Sequence, residues 1–260
     1  HSIILISADT MGRACKECMA RVPYATLLAT ILCAVGLGVF CGTMYRGITL
    51  CLKMFEEVFR FQLQWLEPIQ LTFVILGAIM GAFAVLVLLI GCLSTGSTRV
   101  AVYKADRARL GGRIFCGMCI VIAYVLQYLW LMVLCCLTII TVVFTVFWGM
   151  CSTKRVQYDH QCIDFTQLDF LFPENTDPRS LKVCEAGEVK LFCKDYVENV
   201  EVLFILATVG CIIVLISLVH YLMCLSANYA HIKDNEKFCD LEEIQRLNDS
   251  EMSTLPKDRF

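Results

Sequence analysis

Charge is missing where a soluble chain would carry it. No Asp, Glu, Lys or Arg falls within Val22–Tyr45, Pro68–Thr98, Ile114–Thr153 or Val202–Ile232. A helix crosses the roughly 30 Å hydrocarbon core with about 20 residues, and each of these stretches is long enough and rich in Leu, Ile, Val and Phe. The same absence excludes a soluble fold, because a chain of 260 residues has too little outer layer to cover four long apolar helices on every side. With 58% hydrophobic and 18% charged residues, the composition is that of a membrane protein. The expected fold is an all-α membrane protein, a four-transmembrane-helix bundle.

Other absences remove whole classes of activity. There is no Gly-rich phosphate loop and no HExxH motif, and the histidines are His1, His160, His220 and His231. His160 has Asp159 and Asp164 nearby, but no nucleophile, oxyanion donors or cleft accompany them. The acids nearest the spans, Glu67 and Glu201, stand at their rims, which leaves no midplane ion or proton relay. No catalytic, cofactor-binding or metal-binding residue is therefore expected, and the chain does not read as an enzyme. Its basic residues form no long patch or stripe, so nucleic acid is not an expected partner.

The charges that are present set the orientation. Between the second and third stretches, Arg99, Lys104, Arg107, Arg109 and Arg113 face a single acid, Asp106, a cytoplasmic signature by the positive-inside rule. Arg13, Lys16 and Arg21 precede the first stretch, against Asp9 and Glu17. Lys154, Arg155, Lys190 and Lys194 pull the other way, and the cysteines decide the matter. Cys151, Cys162, Cys184 and Cys193 form an even set in a polar loop too poor in apolar residues to fold alone, as expected of an oxidising exterior. Spacing leaves their pairing open. Nested bonds would clamp the loop base and then its middle.

The expected organisation is a leader of upstream or non-native origin (1–10), a cytoplasmic N-terminus (11–21), span 1 (22–44) and extracellular loop 1 (45–67). Span 2 (68–93), a cytoplasmic loop (94–113) and a long span 3 with a cytoplasmic extension (114–150) follow. Extracellular loop 2 (151–200), span 4 (201–226) and a cytoplasmic tail (227–260) complete it. Span 3 is long because its 40 uncharged residues include no Pro, and that many helical residues would extend about 60 Å. Within it, Gln127 either bonds another span or reaches the inner surface.

Two CxxC pairs, Cys15–Cys18 and Cys116–Cys119, sit at cytoplasmic membrane borders without a soluble domain to orient a metal or redox centre. Juxtamembrane cysteines of this kind are candidates for S-palmitoylation, with Cys92, Cys224 and Cys239 weaker candidates. Cys33, Cys135, Cys136 and Cys211 read as small buried packing residues. Gly38 and Gly42 in span 1, with Gly77 and Gly81 in span 2, have the small-xxx-small spacing that lets membrane helices approach closely. In the tail, Phe238, Leu241, Ile244 and Leu247 recur every three residues, suggesting a short amphipathic helix. Asp258 and Phe260 are candidates for capture by a scaffold domain that reads C-termini.

Several motifs together resemble the proteolipid protein family, that of myelin proteolipid protein and related neuronal membrane glycoproteins. They are Met11–Gly12 with Cys15 and Cys18, VPYATLLATILC at Val22–Cys33, Phe40–Cys41–Gly42, Ser94–Thr95–Gly96 and CGMC at Cys116–Cys119. Trp148 before Cys151, LKVC ending at Cys184, LFCK around Cys193 and VHYLMCLSANYAHIKD at Val219–Asp234 continue the match. The last motif and the short loop after span 2 are closest to the neuronal membrane glycoprotein branch. The resemblance implies four spans with both termini inside, the nested disulfides Cys151–Cys193 and Cys162–Cys184, and acylated cytoplasmic cysteines. Ala14 and Thr43 stand where relatives carry cysteine, which removes one anchor and leaves Cys41–Cys51 as a conceivable bond. Asn175 is followed by Thr176–Asp177 and so makes no glycosylation sequon.

The expected function is a non-enzymatic plasma-membrane organiser in cell contact, membrane morphology and process or filopodium outgrowth. An accessory subunit controlling trafficking or gating of another membrane protein is the alternative. Expected partners are membrane lipids, adhesion, junctional or cytoskeleton-linked proteins, a C-terminal scaffold and further copies of the chain. The expected location is the plasma membrane, including cell junctions and neuronal or epithelial protrusions.

Overall fold

A computed structural model of the protein describes residues 23–60, 66–94, 106–153, 162–165 and 182–254. Helix α1 runs Tyr24–Glu57, α2 Leu66–Ser94 and α3 Asp106–Cys151. A two-residue antiparallel ladder follows, β1 (Ile163–Asp164) with β2 (Lys182–Val183), pairing Ile163 with Val183 and Asp164 with Lys182. A short α4 (Ala186–Lys190) continues through a π-helical turn, Leu191–Val197, into α5 (Glu198–Thr254). Among the described residues, four helical segments are long and apolar enough to cross a membrane: Tyr24–Glu57, Pro68–Leu93, Gly111–Cys151 and Ala186–Asp234. This is an all-α membrane protein with four transmembrane helices.

The ends of these helices follow from backbone chemistry. Pro23 stands just before α1, where its missing amide hydrogen costs little, and its carbonyl accepts the Leu27 amide at 2.9 Å. α1 then continues well past Tyr45 because no proline interrupts it; it ends near Arg60, whose φ of 59° turns the chain out of the right-handed region. Cys41 and Cys51 consequently share one helix, ten residues or about 15 Å apart. Disulfide geometry requires alpha carbons within about 7 Å, so the bond considered between them does not form, and both thiols are free. In the same way α5 runs through the tail to Thr254, two residues short of Pro256.

The described chain forms two compact units. One comprises residues 31–83 and 127–217 and centres on Phe40, which is fully buried. The Phe40 ring packs edge-on against Phe73 of α2 at 5.8 Å and Trp130 of α3 at 4.9 Å. Its backbone meets α5 directly: a methyl placed on Gly210 would lie 2.9 Å from both the Phe40 nitrogen and the Gly36 carbonyl oxygen. On the other side, a methyl on Gly77 would lie 2.7 Å from the Cys41 sulfur. Thr141 and Thr208 add a hydroxyl contact of 3.3 Å between α3 and α5. The Gln127 Oε1 atom is buried and makes no hydrogen bond, so its side-chain oxygen does not bridge to another span.

The other unit comprises the described residues within 1–30, 84–126 and 218–260. Here Gly91 of α2 lies against Thr26 of α1, where an added methyl would come within 2.9 Å of the Thr26 hydroxyl oxygen. Tyr221 of α5 donates to the Thr30 hydroxyl at 3.1 Å, and the Cys116 thiol of α3 donates to the Leu225 carbonyl at 3.3 Å.

The glycine expectations need correcting in part. Gly38 and Gly42 face open space, and Gly81 makes only ordinary contact with Leu37 at 3.7 Å. The tightest backbone approach is made by Gly36 and Gly210 instead, since helix rotation points Gly36 toward α5 and turns Gly38 and Gly42 away. Replacing Gly210 with Ala should therefore lower stability by about 1–3 kcal/mol through overpacking, whereas Gly38→Ala should change it by less than about 0.5 kcal/mol. Thermal unfolding of both variants in one detergent or nanodisc preparation checks the contrast, which would be reversed if Gly38 and Gly42 formed the packing seam.

Candidate functional site

Two disulfides tie the described parts of the loop between α3 and α5. Cys151, at the last residue of α3, bonds Cys193 in the π-helical turn, with alpha carbons 5.6 Å apart. Cys162 bonds Cys184 at the open ends of the β1–β2 ladder, with alpha carbons 4.1 Å apart. The bonds are nested and enclose sequence separations of 42 and 22 residues. Closing loops of such lengths removes unfolded-state entropy worth about 3–4 kcal/mol for each bond taken alone.

Beneath the disulfides lies an aromatic base contributed by four parts of the chain. Phe59 comes from just after α1, Phe147 from the last turn of α3, Phe165 from just after β1 and Phe192 from the π-helical turn. Phe165 and Phe192 are fully buried, with ring centroids 5.3 Å apart. Phe59 reaches Phe165 at 5.4 Å and Phe192 at 5.9 Å, while Phe147 reaches Phe165 at 5.6 Å. Most of these contacts are edge-to-face, the arrangement that aromatic quadrupoles favour. The π-helical turn helps to direct Phe192, Tyr196 and Val197 inward together, as a widened turn at a structurally specialised point can.

Tyr196 joins this base to α1 by donating to Glu57 Oε2 at 2.5 Å. It precedes the uncharged stretch that begins at Val202. The assembly can hold a fixed surface shape, but contains no paired nucleophile and base. Among the described residues, no group of three or more His, Cys, Asp and Glu side chains is arranged to hold a metal ion.

The remaining candidate residues are dispersed. Cys116 and Cys119 are almost fully buried, because their three-residue spacing puts both on one inward face of α3. Their thiols are therefore poorly accessible where they stand. Cys92 is exposed and Cys224 half-buried, whereas Cys33 and Cys211 are buried. Cys135 and Cys136 are exposed, correcting their expected role in packing: neither lies on the inward face that carries Trp130 and Leu137. Cys15, Cys18, Asp258 and Phe260 lie outside the described residues.

The tail stripe is helical but does not form one face. Phe238, Leu241, Ile244 and Leu247 are all strongly exposed. Successive three-residue steps fall about 60° behind a full turn, so the four side chains wind around half the helix. Arg246 pairs with Glu242 at 3.2 Å on this exposed surface.

Sequence reasoning did not identify the four-ring base or the Tyr196–Glu57 bond. A signal was present: Phe147, Phe165 and Phe192 stand four, three and one residues from loop cysteines. The fourth ring, Phe59, just past α1, has no such local marker.

The family described as "Myelin proteolipid protein (PLP or lipophilin)" matches residues 12–237. The chain is 28% identical over 262 residues to Neuronal membrane glycoprotein M6-a from Mus musculus, covering 95% of this chain and 92% of that protein. It is 27% identical over 263 residues to Neuronal membrane glycoprotein M6-b from Mus musculus, covering 96% and 79% respectively. Proteolipid protein DM beta from Squalus acanthias is 25% identical over 266 residues, covering 95% of this chain and 92% of that protein. No solved structure matches the chain.

Removing one ring of the aromatic base should loosen the stapled loop selectively. Phe165→Ala is expected to cost about 3–5 kcal/mol, whereas truncating the exposed Ile139 should cost less than about 1 kcal/mol. Hydrogen–deuterium exchange checks this: amides at 162–165 and 182–197 should lose protection in the first variant and keep it in the second.

Proposed function

We propose, from the premise that the chain belongs to the myelin proteolipid protein family, that it is a non-enzymatic organiser of the plasma membrane. In this reading it acts in cell contact, membrane morphology and process or filopodium outgrowth. The observation that carries the reading is the pair of nested disulfides on buried aromatic rings, which anchors the described part of this loop and lowers the ordering cost of meeting another protein or membrane. Its relatives named neuronal membrane glycoproteins supply the neural context, and cell junctions and epithelial protrusions extend it.

In this reading the four spans cross the membrane in turn and bring both ends to one side. The basic residues at 99–113 and the cysteine pairs in the loop after α3 favour a cytoplasmic location for those ends and an external one for the stapled loop. Adhesion, junctional or cytoskeleton-linked proteins and other copies of the chain are the partners in this reading. The terminal Asp258–Arg259–Phe260 sequence would engage a scaffold that captures C-termini.

Purification of the full chain in mild detergent after proximity labelling at endogenous expression tests the proposal. Adhesion and cytoskeletal proteins should dominate, and a chain lacking residues 256–260 should lose a scaffold while retaining normal surface delivery. Recovery of a channel or receptor in fixed ratio would instead support an accessory subunit. Acylation has its own test, thioester-specific acyl exchange on the folded protein followed by peptide mapping. Label should appear at Cys92, Cys15 or Cys18 and not at Cys116 or Cys119; the reverse pattern would overturn this assignment.

A further inference from the structure

The structure contains a cleft of about 600 Å³ between α1 and α5, lined by Tyr45, Arg46, Thr49, Leu50, Glu198, Asn199, Val202 and Leu203. On each helix the lining positions repeat as i, i+1, i+4 and i+5, so two helix faces form its walls. We propose that this cleft holds the headgroup and upper acyl region of one zwitterionic glycerophospholipid. This binding site is independent of the organiser reading.

Depth and charge support the assignment. Arg46 immediately follows the uncharged stretch Val22–Tyr45, and Glu198 precedes the one beginning at Val202. These positions put an exposed cation and an exposed carboxylate at the hydrocarbon boundary, where lipid headgroups lie. Among the described residues neither Arg46 nor Glu198 has an ion-pair partner. They offer opposite charges within one cleft, with Arg46 suited to the lipid phosphate and Glu198 to its ammonium group. The exposed Tyr45 ring adds a surface that attracts an organic cation. Val202 and Leu203 provide apolar wall for the first acyl segments.

The local structure also explains why the cleft is polar on one side. Thr49 donates to the Tyr45 carbonyl at 2.8 Å, and Gln70 donates to that carbonyl at 3.4 Å and to the Thr49 hydroxyl at 3.3 Å. Asn199 donates to the Asp195 carbonyl at 2.9 Å. These bonds occupy the neutral groups, leaving Arg46 and Glu198 as the principal charged contacts. A singly anionic lipid would satisfy Arg46 but place no cation beside Glu198.

The test uses the full chain in nanodiscs of equal parts phosphatidylcholine and phosphatidylglycerol, transferred into maltoside and analysed by native mass spectrometry. Wild type should retain one phosphatidylcholine in preference to phosphatidylglycerol by roughly tenfold, the scale of a charge-assisted contact. Arg46→Gln and Glu198→Gln should each bring the ratio close to one, while Arg46→Lys should preserve it. Glu198→Lys should reverse it toward phosphatidylglycerol, an outcome that loss of structure would not give. Intact disulfides and unchanged thermal unfolding would establish that these variants fold. A headgroup-photoreactive phosphatidylcholine should label peptides containing residues 45–50 and 198–203. Equal retention of the two lipids by folded wild type, an unchanged ratio in folded Glu198→Lys, or labelling confined to other peptides would overturn the site.

Discussion

Within a bilayer an apolar side chain gains little by exchanging lipid for another apolar side chain, so helices remain together where their surfaces fit closely. In this protein the decisive fit is the approach of α1 to α5 at Gly36, Phe40 and Gly210. The missing side chain of Gly210 allows the α5 backbone to reach the backbone of Phe40, and the Phe40 ring then contacts Phe73 and Trp130. One absent methyl thus permits an aromatic centre that involves three further helices. The backbone obeys a second bilayer constraint, that its polar groups be satisfied internally. Thr43 and Thr141 follow the same rule by returning their hydroxyl hydrogens to the carbonyls of Val39 and Leu137.

The uncharged runs made the membrane fold legible because solvent identity constrains every residue of a span. The even cysteine set also revealed a stapled loop, and its nested connectivity agrees with the family resemblance. Helix rotation was much less legible. Gly38 and Gly42 have the same spacing whether they face a helix or lipid, and only the three-dimensional arrangement turns Gly36 inward instead. Cys116 and Cys119 illustrate the same limit: their sequence gives proximity to a membrane border, but their shared helix face determines that they are buried. Cys135 and Cys136 were misread in the opposite direction.

The aromatic base was obscured for another reason. Its members are distant in sequence, and Phe59 is grouped with Phe165 and Phe192 only after the helix end and the loop have folded. The disulfides limit the possible paths, while the rings determine which inner surfaces fit together. Tyr196 and Glu57 add directionality that ring packing lacks. Covalent closure, apolar packing and a hydrogen bond therefore constrain different aspects of the same loop.

Nested crosslinks also separate peptide continuity from molecular continuity. A cut at any peptide bond between Cys162 and Cys184 leaves its two sides joined through both bonds, and a cut elsewhere between Cys151 and Cys193 leaves them joined through the outer one. The loop can therefore be severed without releasing a fragment, and the flanking membrane helices remain parts of one covalent molecule until reduction. Loss of chain continuity at this surface need not mean loss of attachment to the cell.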